Sequence, residues 1–326
     1  MKPKEILVFG ASGQIGRNLI RKLTKNNYKV IAVTRNIHKK GYLLKTQANP
    51  GYLDLVELDF LDDQKIRKLF KTCSICINLI GILYEKNKNQ FQKIHSTFPT
   101  LLSKLAKEND IDQLIHISAL GIENALDSKY AKSKLEGEIG VRNTFEKSVI
   151  LKPSIVYSVD DKFTTNFMTM LSRLPLMPLF YNGKTKFAPI HVSDLTEIIF
   201  QIILRGIKNE SIECIGPEEI SFREILNKLL KAIDKKCLLI SMPLELAKIQ
   251  AIFFEFLPSF MQGGRKQFTL DQLKLLKYDN LPSSKYKNNI DLKLNKDLKY
   301  FDKEVNKYSY MWKTEGEFSK NKLNNF

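Results

Sequence analysis

Residues 5–16, EILVFGASGQIG, constrain the fold of this chain more than any other stretch. A short β-rich run leads straight into three glycines, Gly10, Gly13 and Gly16. Behind them Ile15, Leu19, Ile20 and Leu23 recur at helical spacing and predict a helix packed on a sheet. Between a strand and a helix, the first glycine permits a tight turn and the second lets backbone N–H groups approach a pyrophosphate. The third allows close helix–strand packing, and the helix N-terminus adds partial positive charge. The stretch therefore predicts a dinucleotide site built from Gly10, Ser12, Gly13, Gln14, Ile15 and Gly16.

The alternation continues downstream. YKVIAV, LDLVELDF, CSICINLIG, QLIHIS and SVILKPSIV read as strands, with helical segments between them, such as the one carrying Phe98, Leu101, Leu102 and Leu105. That order predicts an α/β protein: a Rossmann-type doubly wound parallel sheet with a smaller C-terminal α-rich domain. The expected division is a nucleotide-binding domain over 1–160, with its sheet completed within 161–215. A smaller domain and partner-docking tail would follow over 216–326.

The end of the second strand bears on which dinucleotide fits. An NAD-preferring site usually places a carboxylate there for the ribose hydroxyls. Here VTRN supplies Thr34, Arg35 and Asn36, and Arg35 can pair with a 2′-phosphate. Arg17 is a second candidate partner. NADPH is expected, with NADH as the alternative. Asp59, beside Phe60, is placed to accept from the adenine amine or to cap the next helix. Asn78 to Gly81 end the fourth strand, where backbone passes beneath the cofactor. Pro153 and Ile155 follow the sixth strand toward the nicotinamide.

Tyr130 and Lys134 stand one helical turn apart in SKYAKSKLEGE. With 12 tyrosines and 43 lysines, chance alone gives roughly 1.6 such i, i+4 pairs, so the spacing decides little. A second pair, Tyr84/Lys88, does exist. Context separates them: 130/134 opens a helix after the fifth strand, and Ser118 ends that strand. Ser118, Tyr130 and Lys134 then converge on the carboxyl edge of the sheet, where open α/β folds bind ligands. A phenol titrating near pH 10 needs a nearby cation to act as an acid–base at neutral pH.

GASGQIG, Asp59-Phe60, Ser118/Tyr130/Lys134 and PIHVSDLTEII together resemble an extended or atypical short-chain dehydrogenase/reductase. In active members the tyrosine is the acid–base, the lysine lowers its pKa and binds the nicotinamide ribose, and the serine orients substrate. INLIG at 77–81, HISALGI at 116–122, YAKSKLEGE at 130–138, LKPSIVYSVDDKF at 151–163 and the FEFLPSFMQGGRKQFTLDQLKLLKYDN tail are similar to a narrower group. That group is the NAD(P)H-binding 39-kDa accessory subunit of respiratory complex I and its bacterial homologues. The resemblance implies a retained nucleotide that is structural, with redox centres in other subunits. It also implies complex I subunits as partners and a peripheral place on the cytoplasmic face of a bacterial inner membrane. Two other readings use the same pocket: a reductase or epimerase working through Tyr130, and a nucleotide-sensing regulator.

The formal net charge of +17 asks for an anionic partner or surface. Only nine of the 52 basic residues are Arg, however, which fits a general drift toward lysine as well as a docking face. No recognised motif or basic helix supports nucleic acid. Strand-like residues from Glu5 predict neither signal peptide nor presequence, and no apolar run is long enough to span a bilayer. Cys73-x-x-Cys76 leads into an apolar strand whose alternation would split the two thiols between faces, so buried thiols are expected and no metal site.

In the second half His191 is expected to pack on a strand edge and Asp194 to cap the helix LTEIIFQIIL. Ser221 and Glu224 spell a capping box. PLELAKIQAIFFEFLPSFMQ at 243–262 reads as core packing or as a docking surface for a protein or membrane interface. The last 60 residues read as loosely packed or partner-bound.

Overall fold

Six of the apolar runs become strands at the expected places: β1 (Glu5–Phe9), β2 (Lys29–Thr34), β3 (Leu53–Glu57), β4 (Ile75–Asn78), β5 (Gln113–Ile117) and β6 (Ser148–Pro153). The computed structural model describes residues 5–58, 62–242, 269–314 and 316. Two further strands, Glu210–Cys214 and Lys287–Asn288, extend the sheet beyond β6. The full order is 287–288, 210–214, β6, β5, β4, β1, β2, β3, and all neighbours are parallel. β1 pairs with β2 on one side and β4 on the other, so the winding reverses there. Such a reversal opens a crevice at the carboxyl ends of the strands.

The helices α1 (Gln14–Lys25), α2 (Ile37–Lys45), α3 (Asp63–Phe70), α4 (Phe98–Glu108) and α5 (Lys129–Thr144) connect these strands. Leu7 and Phe9 of β1 and Ile31 and Val33 of β2 join Ile66 of α3, Leu102 of α4 and Val141 of α5 in one buried cluster. The alternate residues Ile6, Val8, Val30 and Ala32 are equally buried. Burial of both faces is why these strands read as continuous apolar runs. Ser128 starts α5 by accepting the Ala131 N–H at 3.2 Å, so the helix carrying Tyr130 and Lys134 has a defined first turn.

The chain divides less simply than its sequence suggests. One compact unit comprises Met1–Pro153, Val192–Cys214 and Ser283–Lys296; the other comprises Ser154–His191, Ile215–Pro282 and Asp297–Phe326. Residues 154–160 thus leave the nucleotide-binding unit, and 283–296 return to it. Glu213 holds that return: its carboxylate accepts the Ser283 N–H at 2.8 Å and the Ser283 hydroxyl at 2.7 Å. The Asn295 amide also donates to the Asp194 carbonyl at 3.0 Å.

The second unit packs Phe167, Met168 and Leu171 of the helix Thr164–Leu171 against Phe222, Ile225 and Leu229 of the helix Phe222–Ile233. Ser221 and Glu224 form the expected capping box. The His191 ring meets Tyr157 edge-on at 5.2 Å, as a packed strand-edge residue would. Asp194 sits inside the first turn of the helix Val192–Arg205 and not at its cap. The described part of the tail is better packed than expected. Phe301, Val305 and Tyr308, at helical spacing among lysines, are buried in the second unit's core. The 243–262 stretch lies outside the described residues.

Cys73 and Cys76 are free, buried and in the same apolar cluster. The strand starts only at Ile75, so alternation does not reach Cys73. Burial raises both thiols, Cys73 to about 12. Among the described residues no His/Cys/Asp/Glu cluster could hold a metal, and no helix is long and apolar enough to cross a membrane.

Candidate functional site

The glycine loop closes on itself and on the neighbouring loop. Gly13 N–H donates to the Gly10 carbonyl at 3.0 Å. Gly10 has φ of +77°, and a Cβ there would lie 3.0 Å from the Leu79 carbonyl carbon. A Cβ on Gly16 would lie 2.4 Å from the Ala11 oxygen. Both positions therefore demand glycine, one for conformation and one for contact. Gly13 caps α1 with no side-chain bond, and the first turn carries no acidic residue. N–H groups at the start of a helix, uncapped and without a competing carboxylate, suit a pyrophosphate. Ser12 contributes its carbonyl to Arg17 Nη1 at 3.0 Å, so Arg17 braces the loop. Gln14 opens the helix, and Ile15 is half-buried at the loop end while Leu19, Ile20 and Leu23 fill the core.

At the adenosine end, Thr34 closes β2 with its hydroxyl buried and unpartnered. Arg35 is exposed and has no ion-pair partner among the described residues. Asn36 caps α2 by accepting the Lys39 N–H at 2.8 Å. Glu57, across from Thr34 in the β2–β3 register, accepts the Ile37 N–H at 2.7 Å. Asp59 and Phe60 lie outside the described residues.

Asn78 is spent on shaping the loop after β4. Its Oδ1 accepts the Ile80 N–H at 3.1 Å, and its Nδ2 donates to His116 Nδ1 at 3.2 Å. That contact places the His116 proton on Nε2, which is buried and has no partner. Gly81 leaves room for Lys134: a Cβ there would stand 3.4 Å from the lysine Nζ.

Lys134 Nζ donates to the Ile117 carbonyl at 3.0 Å, directly before Ser118. Burial pulls its ammonium down to about 8, with Glu138 one turn on working against that. Ser118 Oγ is buried, with no hydrogen-bond partner of good geometry among the described residues. Burial pushes the Tyr130 phenol up to about 12. Pro153 ends β6, and its carbonyl accepts the Leu120 N–H at 3.0 Å, tying it to the loop after Ser118. Ile155 belongs to the second unit, where its carbonyl accepts the Ile190 N–H at 2.9 Å.

Two features escaped the sequence reading. His95 sits in a wide, π-type turn over Gln92–Thr97, just before α4. Its Nε2 accepts the Ile82 N–H at 3.1 Å, so Nδ1 carries the proton and donates to Ser133 Oγ at 2.9 Å. Ser133 in turn donates to the Tyr130 carbonyl at 2.8 Å. The His95 ring meets the Tyr130 ring edge-on at 5.3 Å, and burial drops its pKa to about 2. A Cβ on Gly137 would overlap the His95 carbonyl, so α5 seats on this turn through a glycine. No sequence signal pointed to it, because a widened turn has no sequence signature.

The second is Lys152, fully buried in β6. It pairs with Glu138 of α5 at 2.8 Å and with Glu123, and stands 4.5 Å from the centroid of Tyr286. Glu213 lies opposite it in register. Burial works to lower Lys152, but Glu138 and Glu123 outweigh it and hold the ammonium above its ordinary value.

Sheet order, glycine loop and the Ser/Tyr/Lys arrangement define a dinucleotide-binding protein of the short-chain dehydrogenase type. Residues 6–214 match the NAD dependent epimerase/dehydratase family, and the chain belongs to it. Over 282 residues it is 26% identical to the Arabidopsis thaliana protein NADH dehydrogenase (ubiquinone) 1 alpha subcomplex subunit 9, mitochondrial, covering 85% of this chain and 70% of that one. It is 24% identical over 193 residues to a ceramide reductase of Caulobacter vibrioides, covering 58% of this chain and 57% of the other. Among solved structures, gox2253 superposes with a TM-score of 0.71 at 16% identity, over 95% of this chain and 97% of that chain.

Proposed function

We propose that this chain is an NADP(H)-binding accessory subunit of a respiratory complex I, in which the nucleotide is a structural or regulatory group and is not turned over. One observation carries the reading: over 85% of its length the chain is similar to an Arabidopsis thaliana protein named as a subunit of NADH dehydrogenase (ubiquinone). Within the site Lys134 donates to the Ile117 carbonyl, and burial pushes the Tyr130 phenol up to about 12. That similarity, to a protein named as an NADH dehydrogenase subcomplex subunit, supports the choice of partners. The placement that follows is peripheral, against other subunits, on the cytoplasmic face of a bacterial inner membrane.

The residues present fit the nucleotide. N–H groups at the start of α1 would hold the pyrophosphate, Arg35 a 2′-phosphate, and Lys134 the nicotinamide ribose. A nicotinamide dinucleotide can supply hydride transfer; here Ser118 and Tyr130 would only bound its pocket. The alternative is a reductase or epimerase acting on a small molecule through Tyr130 and Lys134. The intact trio and the likeness to a ceramide reductase favour that second reading.

Purification from the native membrane fraction tests the proposal, with co-migrating complex I subunits as the expected result. The isolated protein should melt at higher temperature as NADPH is added, because a ligand of the native state alone stabilises it. Gly13→Val should remove that response. Steady NADPH consumption by the isolated protein would overturn the non-turnover reading.

A further inference from the structure

We propose that the charge of Glu57 sets how strongly the adenosine end of this site distinguishes NADPH from NADH. The inference rests on the dinucleotide reading above and extends it to specificity. A carboxylate for the ribose is sought at the end of β2, and none is there. The β2–β3 register supplies one from the neighbouring strand, because Thr34 and Glu57 are partners at the two strand ends.

Glu57 is held in place. Its Oε2 accepts the N–H of Ile37, the first residue of α2, at 2.7 Å. Asn36 fills the other capping role through Lys39. The carboxylate therefore stays at a helix start where an anion is favoured, close in sequence and register to Arg35. Glu57 and Arg35 form no ion pair with each other, and among the described residues Arg35 pairs with nothing else. The cation and the anion remain separately available to a ligand, beside the buried, unpartnered Thr34 hydroxyl.

The two nucleotides meet these groups differently. A 2′-phosphate is drawn by Arg35, repelled by Glu57, and competes with Glu57 for the Ile37 N–H. A free 2′-hydroxyl is a donor, and the second oxygen of Glu57 can accept from it. The wild-type protein should therefore prefer NADPH only modestly. Removing the negative charge should widen the preference by up to about tenfold, the scale of one unit charge at an exposed site within a screening length.

Calorimetric titration of the full chain with NADPH and NADH tests this. Glu57→Gln keeps an oxygen to accept the Ile37 N–H, so the helix cap survives while the charge goes. The ratio of the NADH to NADPH dissociation constants should rise by up to about tenfold, and less at high salt. Glu57→Asp should return the ratio toward wild type. An unchanged ratio in Glu57→Gln, or equal shifts for both nucleotides, would overturn the role of Glu57. If NADPH still binds the wild type and weakens in Arg35→Ala, the dinucleotide reading stands without it. Failure of the wild type to bind either nucleotide removes both.

Discussion

The two halves of the sheet keep their polar chemistry in different places. On the β1–β2 side the strands are apolar inside, with Ile6 to Phe9 and Val30 to Val33 all buried. The candidate groups there sit at or just past the strand ends, in the glycine loop, at Thr34-Arg35 and at Glu57. On the β5–β6 side polar groups lie within the strands. His116 and Lys152 are fully buried, and Glu213 nearly so. Lys152 faces Glu213 across the strand pair, with Glu138 of α5 bonded to it. The first half presents backbone N–H groups on a dry platform, whereas the second holds its site on an interior charge network. Buried charges cost several kcal/mol each unless paired, so the two halves should respond very differently to the loss of one group.

The largest difference should come from Lys152→Met, which strands Glu138 and Glu123 without their cation. Removing one partner of a buried ion pair costs about 3–5 kcal/mol. Ile31→Val, in the other half, should cost about 0.5–1.5 kcal/mol. Denaturant unfolding of both variants makes the comparison. Adding Glu138→Gln to Lys152→Met should recover part of the loss, since the paired change leaves no orphaned charge at that position. A Lys152→Met variant no weaker than Ile31→Val would mean that the network does not hold this half together.

The same contrast explains what could be read from the sequence. GASGQIG announces its geometry locally: turn, approach and packing all depend on residues within one short loop. The placement of Ser118, Tyr130 and Lys134 was also legible, through a strand end and a helix start. Glu57, Lys152 and Glu213 were not, because each takes its meaning from a partner fixed by strand register. Register joins residues such as Thr34 and Glu57, or Lys152 and Glu213, that are far apart in sequence. The return of 283–296 to the first unit was hidden for the same reason, since Ser283 matters only once Glu213 stands beside it. Phe301, Val305 and Tyr308 carried a helical signal, but the surrounding lysines masked it.

A smaller effect should appear in acid. His116 is buried, and its pKa falls to about 3 through burial and, secondarily, the Lys134 charge. In the unfolded chain it titrates near 6.5. The unfolded state therefore takes up a proton that the folded state refuses. The His116 contribution is fully present above about pH 6.5 and is lost as pH falls toward the folded value. The loss is about 1.4 kcal/mol per pH unit, or roughly 2 kcal/mol between pH 6.5 and pH 5. His95, with a folded value of about 2, should add a similar slope. His116→Gln should flatten the stability–pH curve by one proton's worth over that range. An unchanged slope in unfolding free energy would place His116 in a wetter setting than its burial indicates.

The smallest effect should be at Tyr130, and it separates the two functional readings. An enzyme using this phenol as its acid–base should lose about 10²–10⁴ in rate on Tyr130→Phe. A structural nucleotide site loses at most one hydrogen bond, about 0.5–1.5 kcal/mol of affinity. The ring contacts to His95 and Phe91 survive in phenylalanine, so the fold should be indifferent to the change. Lys134→Ala is the useful contrast, because its buried ammonium ties α5 to β5 through the Ile117 carbonyl. It would also hold the nicotinamide ribose under either reading. The expected pattern is asymmetric: Lys134→Ala loosens the nucleotide and the assembly, while Tyr130→Phe leaves NADH:quinone turnover in native membranes nearly unchanged. Collapse of that turnover in Tyr130→Phe at normal assembly would make the tyrosine catalytic and return this chain to the enzymes of its family.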